Sequence, residues 1–393
     1  MLPPRRPAVR RTRLAGVVAD LLVHLSTPGE WRAALDAGAL RPPSLADAGF
    51  VHLSAPGQVH LPAERLFAGR RDVVLLVVDP ARLTAPVRWE PGVPGDPAAM
   101  RFPHLYGELP VGAVVGVVPW RPDRTPELPA PGDAAARHRA LAVSLPVRRA
   151  GTVVDVPGGF AVADPAWAAS RDDNRALLTT PVEAGAVEDL LPRLAADLGW
   201  PAPAAALLHP EAGPVADVLA GRGWDVSAAV VMARWAPFPA AAGPAEVVAE
   251  REVHAVWQRS WRRELAGTPD LDQVVGQLVG REHRSDAVVR VLDVAVREAG
   301  QVVAAGQLRI DGATAAVESV LTDPAARGRG HGDAVLARCL ELAGAAGCDL
   351  VVLQAAEEDW PRGWYARRGF AVVGRTWDVT RADGVRPGRP PTG

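Results

Sequence analysis

Toward the C-terminus the apolar positions fall into runs separated by turn signals. Val288–Glu298, Gln301–Ile310 and Thr314–Leu321 are rich in Val and Ala, with Gly300 in one gap and Asp311-Gly312 in the next. Asp-Gly between two apolar runs favours a tight hairpin, because such turns need positive φ. The three runs therefore predict an antiparallel meander. After a loop rich in Gly and Arg, apolar residues return at helical spacing as Val335, Leu336, Cys339, Leu340 and Ala343, and stop near Gly344 and Gly347. Asp349–Gln354 reads as a short buried strand. Pro361–Arg368 suits a helix ended by Gly369, and Phe370–Val373 resumes a strand.

The middle of the chain repeats the end of this order more faintly. Leu190–Leu198 predicts a helix, Ala204–Leu208 a strand, Pro214–Gly221 a helix and Ser227–Trp235 a strand, and Arg222-Gly223-Trp224 parallels Arg368-Gly369-Phe370. An internal duplication accounts for this, although convergent αβ patterning gives the same rhythm. The middle copy has no counterpart of the Gly/Arg loop. Pro/Ala/Gly-rich composition at 121–136 and 236–244 buries little and predicts linkers. The expected division is a basic disordered tail at 1–16, a domain at 17–120, a second at 137–235, a third at 245–385 and a short tail at 386–393.

Composition narrows the chemistry. All 43 Lys+Arg residues are Arg, so no lysine Schiff base and no Walker-type phosphate lysine exists in this chain. Net charge is -2, which argues against nucleic acid or an anionic membrane as the main partner. The two cysteines, Cys339 and Cys348, suggest small core residues in a reducing cytoplasm, with no zinc framework. No apolar run reaches the roughly 18 residues of a membrane span. The apolar stretch after the basic N-terminus is broken by Asp20 and His24, a poor signal peptide.

The loop Arg327-Gly328-Arg329-Gly330-His331-Gly332 lies between a strand and a helix. Glycine permits positive φ and close approach of backbone to a ligand. The free N–H groups and dipole of a helix N-terminus hold anions, so a pyrophosphate is the natural guest, with Arg327 and Arg329 adding charge. A dinucleotide fingerprint fails at Asp333 or Val335, depending on the starting glycine. Arg-x-x-Gly-x-Gly, as Arg327, Gly330 and Gly332 after Val-Leu-Thr-Asp-Pro, resembles the GNAT family of acetyltransferases. Trp364-Tyr365-Ala366-Arg367-Arg368-Gly369-Phe370 resembles that family's tyrosine-bearing motif. The resemblance implies acetyl-CoA in a cleft between two splayed strands, with the backbone of Ser319, Val320 and Leu321 beside the pantetheine arm. It also implies Tyr365 as the acid that protonates the leaving thiolate. Glu318, read as alternating in phase with Ala316 and Val320, is either the general base or a solvent-facing carboxylate. Glu357-Glu358-Asp359 either attracts a cationic amine or is a solvated loop.

The first domain carries His24, His52, Ser54, Gln58, Glu90, His104 and Tyr106, one or two per element, as a site is spread. The histidines lack metal spacing, so no metal is expected. Gly49-Phe50-Val51-His52-Leu53-Ser54, Trp89-Glu90 and Phe102-Pro103-His104-Leu105-Tyr106-Gly107 resemble the bacterial family called domain of unknown function 952. That family is similar in fold to ADP-ribosyltransferases, which implies a cleft able to take NAD or a nucleotide.

The expected fold is α+β and multidomain: an ADP-ribosyltransferase-like mixed α/β domain, then tandem GNAT-like folds with mixed central sheets. The expected function is cytoplasmic transfer of an acetyl group from acetyl-CoA to a primary amine of a small molecule, directly in a ternary complex. Two alternatives stand beside it: NAD-dependent ADP-ribosyl or phosphotransfer chemistry in the first domain, and a non-catalytic acetyl-CoA sensor. Neither the acceptor nor the oligomeric state follows from the residues.

Overall fold

The strands of the expected meander form where the apolar runs lie. A computed structural model describes residues 21–92 and 100–381, so the expected tails at 1–16 and 386–393 lie outside the described residues. Arg290–Glu298, Gln301–Asp311 and Thr314–Thr322 pair antiparallel in sequence order. The next strand, Leu350–Ala356, is parallel to Thr314–Thr322 and so needs a crossover. The helix His331–Ala345 supplies it and buries Val335, Leu336, Cys339, Leu340 and Ala343, the residues its spacing predicts. The parallel pairing runs only from Thr314–Leu350 to Ala316–Val352. Beyond Ala316 the two strands part.

These strands belong to an 11-stranded sheet that crosses the expected joint at 236–244. Asp225–Trp235, from the middle segment, lies between Leu350–Ala356 and Ala371–Thr380 of the last segment. Ala371–Thr380 in turn pairs with Ala204–Leu207 of the middle segment. Each half thus lends its last strand to the other. Burial explains the exchange. Val230 and Met232 enter the core around Leu336 and Leu353, whereas Val379 enters the core around Leu191 and Leu207. From the first strand of each three-strand run onward, the order of helices and strands is the same in both halves. The strands Thr152–Val156, Gly159–Ala163 and Arg175–Leu178 precede the helix Ala184–Leu198, the strand Ala204–Leu207, the helix Gly213–Gly221 and the strand Asp225–Trp235. The third strand of this series is also parallel to the fourth.

The first segment forms separate small sheets. Leu22–Ser26, Val74–Val78 and Val114–Pro119 make one, and Val51–His52, Arg101–Leu105 and Val87–Pro91 another. Its helix Pro28–Ala37 shows why these residues fold locally as they do. Thr27 and Glu30 close a capping box, Pro28 opens the first turn, and Gly38 ends it in the left-handed region. The buried Trp31 of this helix donates its indole N–H to Asp311 Oδ1 at 2.7 Å. Asp311 belongs to the hairpin turn of the last segment, so the first segment is fastened to the large sheet. Arg148 donates to Asp311 Oδ2 at 2.5 Å. A Cβ on Gly312 would stand 2.4 Å from the Val114 carbonyl, so only glycine permits this docking.

The expected linker 121–136 is packed as well. Arg124 donates to the carbonyls of Gly159 (2.6 Å) and Val156 (2.8 Å), and Asp133 caps the helix Ala134–Arg149. Pro129, Ala134 and Ala136 are buried there, and the arginines of the segment add hydrogen bonds. Among the described residues no helix is long and apolar enough to cross a membrane.

Asp311→Ala leaves the Arg148 guanidinium, 1% exposed, without its carboxylate. Removing one partner of a buried ion pair costs about 3–5 kcal/mol. Urea unfolding is expected to show a loss of that size, and a smaller one for Asp311→Asn, which keeps an acceptor. A loss below about 1 kcal/mol, the scale of an exposed pair, would disprove the role of this junction.

Candidate functional site

Where the strands part, the backbone is irregular. Ala305 pairs with Leu321, and Gln307 with Glu318, so Gly306 alone faces Ser319 and Val320. Two residues against one make a β-bulge. Ser319 takes φ 52, and a Cβ on Gly306 would come within 2.8 Å of Val335 Cγ1 and 3.1 Å of Val320 Cγ2. The bulge corrects the expected phase of Glu318. Val320 joins Val317 in the core under the crossover helix, while Ala316 packs in a different core cluster. The extra residue resets the alternation, so Glu318 and Val320 no longer share a face.

Glu318 is half-buried, and burial pushes its carboxyl above the usual carboxylate range. The positive charges of Arg309 and Arg149 oppose this, while Glu282 and Asp172 add to it. Those groups form a charged wall. Arg309 donates to Glu282 at 2.8 Å and to Gln307 at 2.7 Å, Arg281 lies 3.5 Å from Asp172, and Arg149 lies 3.1 Å from Asp173. The helix Pro361–Ala366 carries Tyr365, 7% exposed, edge-on to Trp364 and Phe370. Burial, then the Glu318 and Cys339 charges, push its hydroxyl pKa up. The buried thiols of Cys339 and Cys348 are pushed up to about 12 by burial, which leaves no reactive thiolate at neutral pH.

The loop lies at the N-terminus of the crossover helix. Gly328 (φ 76) and Gly330 (φ 81) are left-handed, and a Cβ on either meets nothing within 4 Å. No side chain caps this helix. Its first N–H groups are therefore available to an anion from the open side. The charges are divided differently from the sequence expectation. Glu298 accepts from Arg329 at 2.7 Å and sits 2.7 Å from His331 Nε2, so both side chains brace the loop. Arg327, exposed like Arg329, donates to the Thr322 carbonyl at 3.2 Å. A Cβ on Gly332 would meet the Trp364 ring at 3.6 Å, which places the loop beside the tyrosine helix.

In the first segment the expected residues separate into groups. His24, His52 and Ser54 line a cavity of about 480 Å³ together with Ser26 and Glu30. His24 Nδ1 sits 2.7 Å from the His52 carbonyl, and burial lowers the pKa of both histidines. Glu90, His104 and Tyr106 form a neighbouring cluster. The Tyr106 hydroxyl donates to Glu90 at 2.7 Å, His104 Nδ1 lies 3.3 Å from it, and Phe50 stacks on His104. The His52 and His104 rings, 5.1 Å apart, join the groups. Gln58 instead donates to the Arg101 carbonyl at 3.1 Å and does not line the cavity.

Comparison with known proteins places both ends of the chain. Residues 286–372 match the family model described as acetyltransferase (GNAT) domain, and residues 25–117 the one described as protein of unknown function (DUF952). Each match spans under a quarter of the chain, so one segment is similar to DUF952 and another to a GNAT acetyltransferase domain. Part of it is 45% identical over 67 residues to a probable glucosamine 6-phosphate N-acetyltransferase 2 of Oryza sativa subsp. japonica. That match covers 17% of this chain and 39% of the length of that curated relative. Among solved structures, a GCN5-related N-acetyltransferase from Kribbella flavida aligns at 19% identity and TM-score 0.45, covering 64% of this chain and 97% of that one. Protein CC0527 of Caulobacter crescentus aligns at 34% identity and TM-score 0.23, covering 27% of this chain and 93% of its own.

Several residues around this loop and its strands carry no signal in the sequence. Glu298 braces the loop from a strand end thirty or so positions away in the chain, and Arg309 and Glu282 give no local signal at all. The acidic run has structural duties: Glu357 accepts from Arg375 at 2.8 Å and Asp359 caps the Trp360 N–H at 2.7 Å.

Proposed function

We propose that the protein transfers an acetyl group from acetyl-CoA to a primary amine of a small molecule, in one step within a ternary complex. The observation that carries this reading is the uncapped helix N-terminus behind Gly328 and Gly330, beside strands that part after Ala316. The pyrophosphate lies on the loop, and the pantetheine arm runs along Ser319, Val320 and Leu321. The amine nitrogen attacks the thioester carbonyl, forming the C–N bond, and the C–S bond breaks as the intermediate collapses. Glu318 takes the ammonium proton, directly or through water. Tyr365 gives its proton to the leaving thiolate. Cys339 and Cys348 are buried in cores, which speaks against an acyl-cysteine. The acceptor lies toward the charged wall of Arg309, Glu282, Arg149 and Asp172, where the middle half contributes side chains. The shared element order supports reading that half as a second GNAT-like unit without a cofactor loop. An amino sugar is the first acceptor to try, given the rice relative's name.

The test is release of CoA thiol across a panel of primary amines, repeated with Glu318→Gln over a range of pH. The base works ionised, and its pKa is raised. Wild-type kcat/KM therefore falls as pH drops through that raised value. Glu318→Gln is expected to lose this acid limb and about 10²–10⁴-fold in rate. Persistence of the limb would assign the base elsewhere. Acetyl-CoA binding without turnover on any amine would favour a sensor.

The cavity beside His24 and His52 favours a second ligand site in the DUF952 domain, since about 300–1,000 Å³ is the usual size for small molecules. An ADP-ribosyltransferase-like reading of that domain requires NAD there. Calorimetric titration of NAD, with His52→Ala as comparison, decides it.

A further inference from the structure

Glu250 and His254 sit one turn apart on the helix Glu250–Glu264, so both side chains lie on one face. His283 reaches the same place from the last turn of the helix Leu271–Arg284. His283 Nδ1 is 3.1 Å and His254 Nε2 is 3.4 Å from the same oxygen, Glu250 Oε1. One ligand-capable atom from each residue falls within 4.8 Å of the others. A tetrahedral zinc with bonds of about 2.0–2.1 Å sets its ligand atoms about 3.3 Å apart. The two histidine-to-glutamate spacings already have that length.

The ring nitrogens supply an independent observation. His254 Nε2 and His283 Nδ1 are both buried, and neither has a hydrogen-bond partner. Buried polar atoms are rarely left unsatisfied, because their desolvation is then uncompensated. In a metal site the lone pair points at the ion and away from the neighbouring ligand atom, which gives this combination of short spacing and poor donor alignment. The far side of His283 is arranged accordingly. Its Nε2 lies 2.9 Å from Asp293 Oδ2, and the other Asp293 oxygen accepts from Gln307 at 3.2 Å. A carboxylate receiving one ring N–H fixes the tautomer and turns the opposite lone pair outward. That lone pair would then face the Glu250 carboxylate at 3.1 Å, acceptor against acceptor, unless a cation lies between them.

We propose that His254 Nε2, His283 Nδ1 and a Glu250 oxygen bind one divalent transition-metal ion of the zinc class, with Asp293 orienting His283. Two imidazoles and one carboxylate suit zinc better than magnesium or calcium, which prefer oxygen ligands throughout. Glu250 is exposed, so a water has access to a fourth position. Such an ion would join the helices Glu250–Glu264 and Leu271–Arg284 and, through Asp293, the strand Arg290–Glu298. The proposal is independent of the acetyl-transfer reading.

The test uses full-length protein stripped with chelator and then titrated with Zn²⁺ by calorimetry and with Co²⁺ by visible absorption. One ion per chain is expected, with the intense d–d bands of tetrahedral Co²⁺ and a higher melting temperature in Zn²⁺. Glu250→Gln and His254→Ala change partly exposed helix positions, so their folding is expected to survive and circular dichroism checks it. Both should lose the cobalt bands and the melting shift, and Asp293→Asn should weaken binding about 10–100-fold. Two outcomes overturn the proposal. One is no Zn²⁺ or Co²⁺ binding by wild type, which leaves Glu250, His254 and His283 as a structural cluster between two helices. The other is undiminished binding in the Glu250→Gln/His254→Ala double variant, which moves any ion away from this cluster.

Discussion

Gly330→Glu is expected to abolish acetyl-CoA binding in a chain that still folds. Gly330 is the N-cap of the crossover helix at φ 81, and its Cβ would meet no protein atom. An L-residue there carries about 1–2 kcal/mol of backbone strain, which a domain with a large core tolerates. The ligand does not tolerate the change. The new carboxylate occupies the space left for the pyrophosphate, and it accepts the same N–H groups that would have held the anion. Losing two charge-assisted hydrogen bonds at about 1.5–3 kcal/mol each weakens binding by roughly 10²–10⁴-fold. Calorimetry with acetyl-CoA measures this, with circular dichroism to check folding. Gly330→Ala separates the causes, since it brings the strain without the charge and should bind far better than the Glu variant. An unchanged Kd for Gly330→Glu would end the assignment of the loop.

Tyr365→Phe is expected to lower kcat by about 10²–10⁴-fold while acetyl-CoA affinity stays near wild type. The substitution keeps the edge-on contacts with Trp364 and Phe370, so packing is preserved and only the proton is removed. The direction of the pKa shift matters here. A general acid works in its protonated form, and burial raises the Tyr365 pKa above the ordinary tyrosine value. The wild-type rate should therefore persist to alkaline pH without a falling limb from this group. Single-turnover thiol release separates chemistry from product release. A Phe variant with the wild-type rate would remove Tyr365 as the acid and leave the thiolate to take its proton from water.

Where local pattern determines the outcome, sequence and structure agree. The meander, the crossover helix, the left-handed glycines of its loop and the tyrosine helix all follow from period, turn chemistry and φ preference within a few residues. Disagreement begins where a residue's role depends on distant partners. The bulge at Ser319 has no turn residue on its own strand, because the small residue that makes room for it is Gly306 across the ladder. Ser227–Trp235 reads as a strand, and the structure has Asp225–Trp235, but a local pattern does not say which strands flank it. The expected linker 121–136 looked empty by composition, yet Arg124 binds two carbonyls of a neighbouring hairpin.

By itself the sequence determined many element types, the glycine loop ahead of a helix, the absence of lysine chemistry and the two family resemblances, since each depends on neighbours along the chain. Only the tertiary structure decided the exchange of last strands, the bracing of Arg329 and His331 by Glu298, the charged wall facing Glu318 and the meeting of Glu250, His254 and His283. The physical reason is the same in each case. Burial and electrostatic pairing act through space, over distances of a few ångströms between residues that lie tens to hundreds of positions apart.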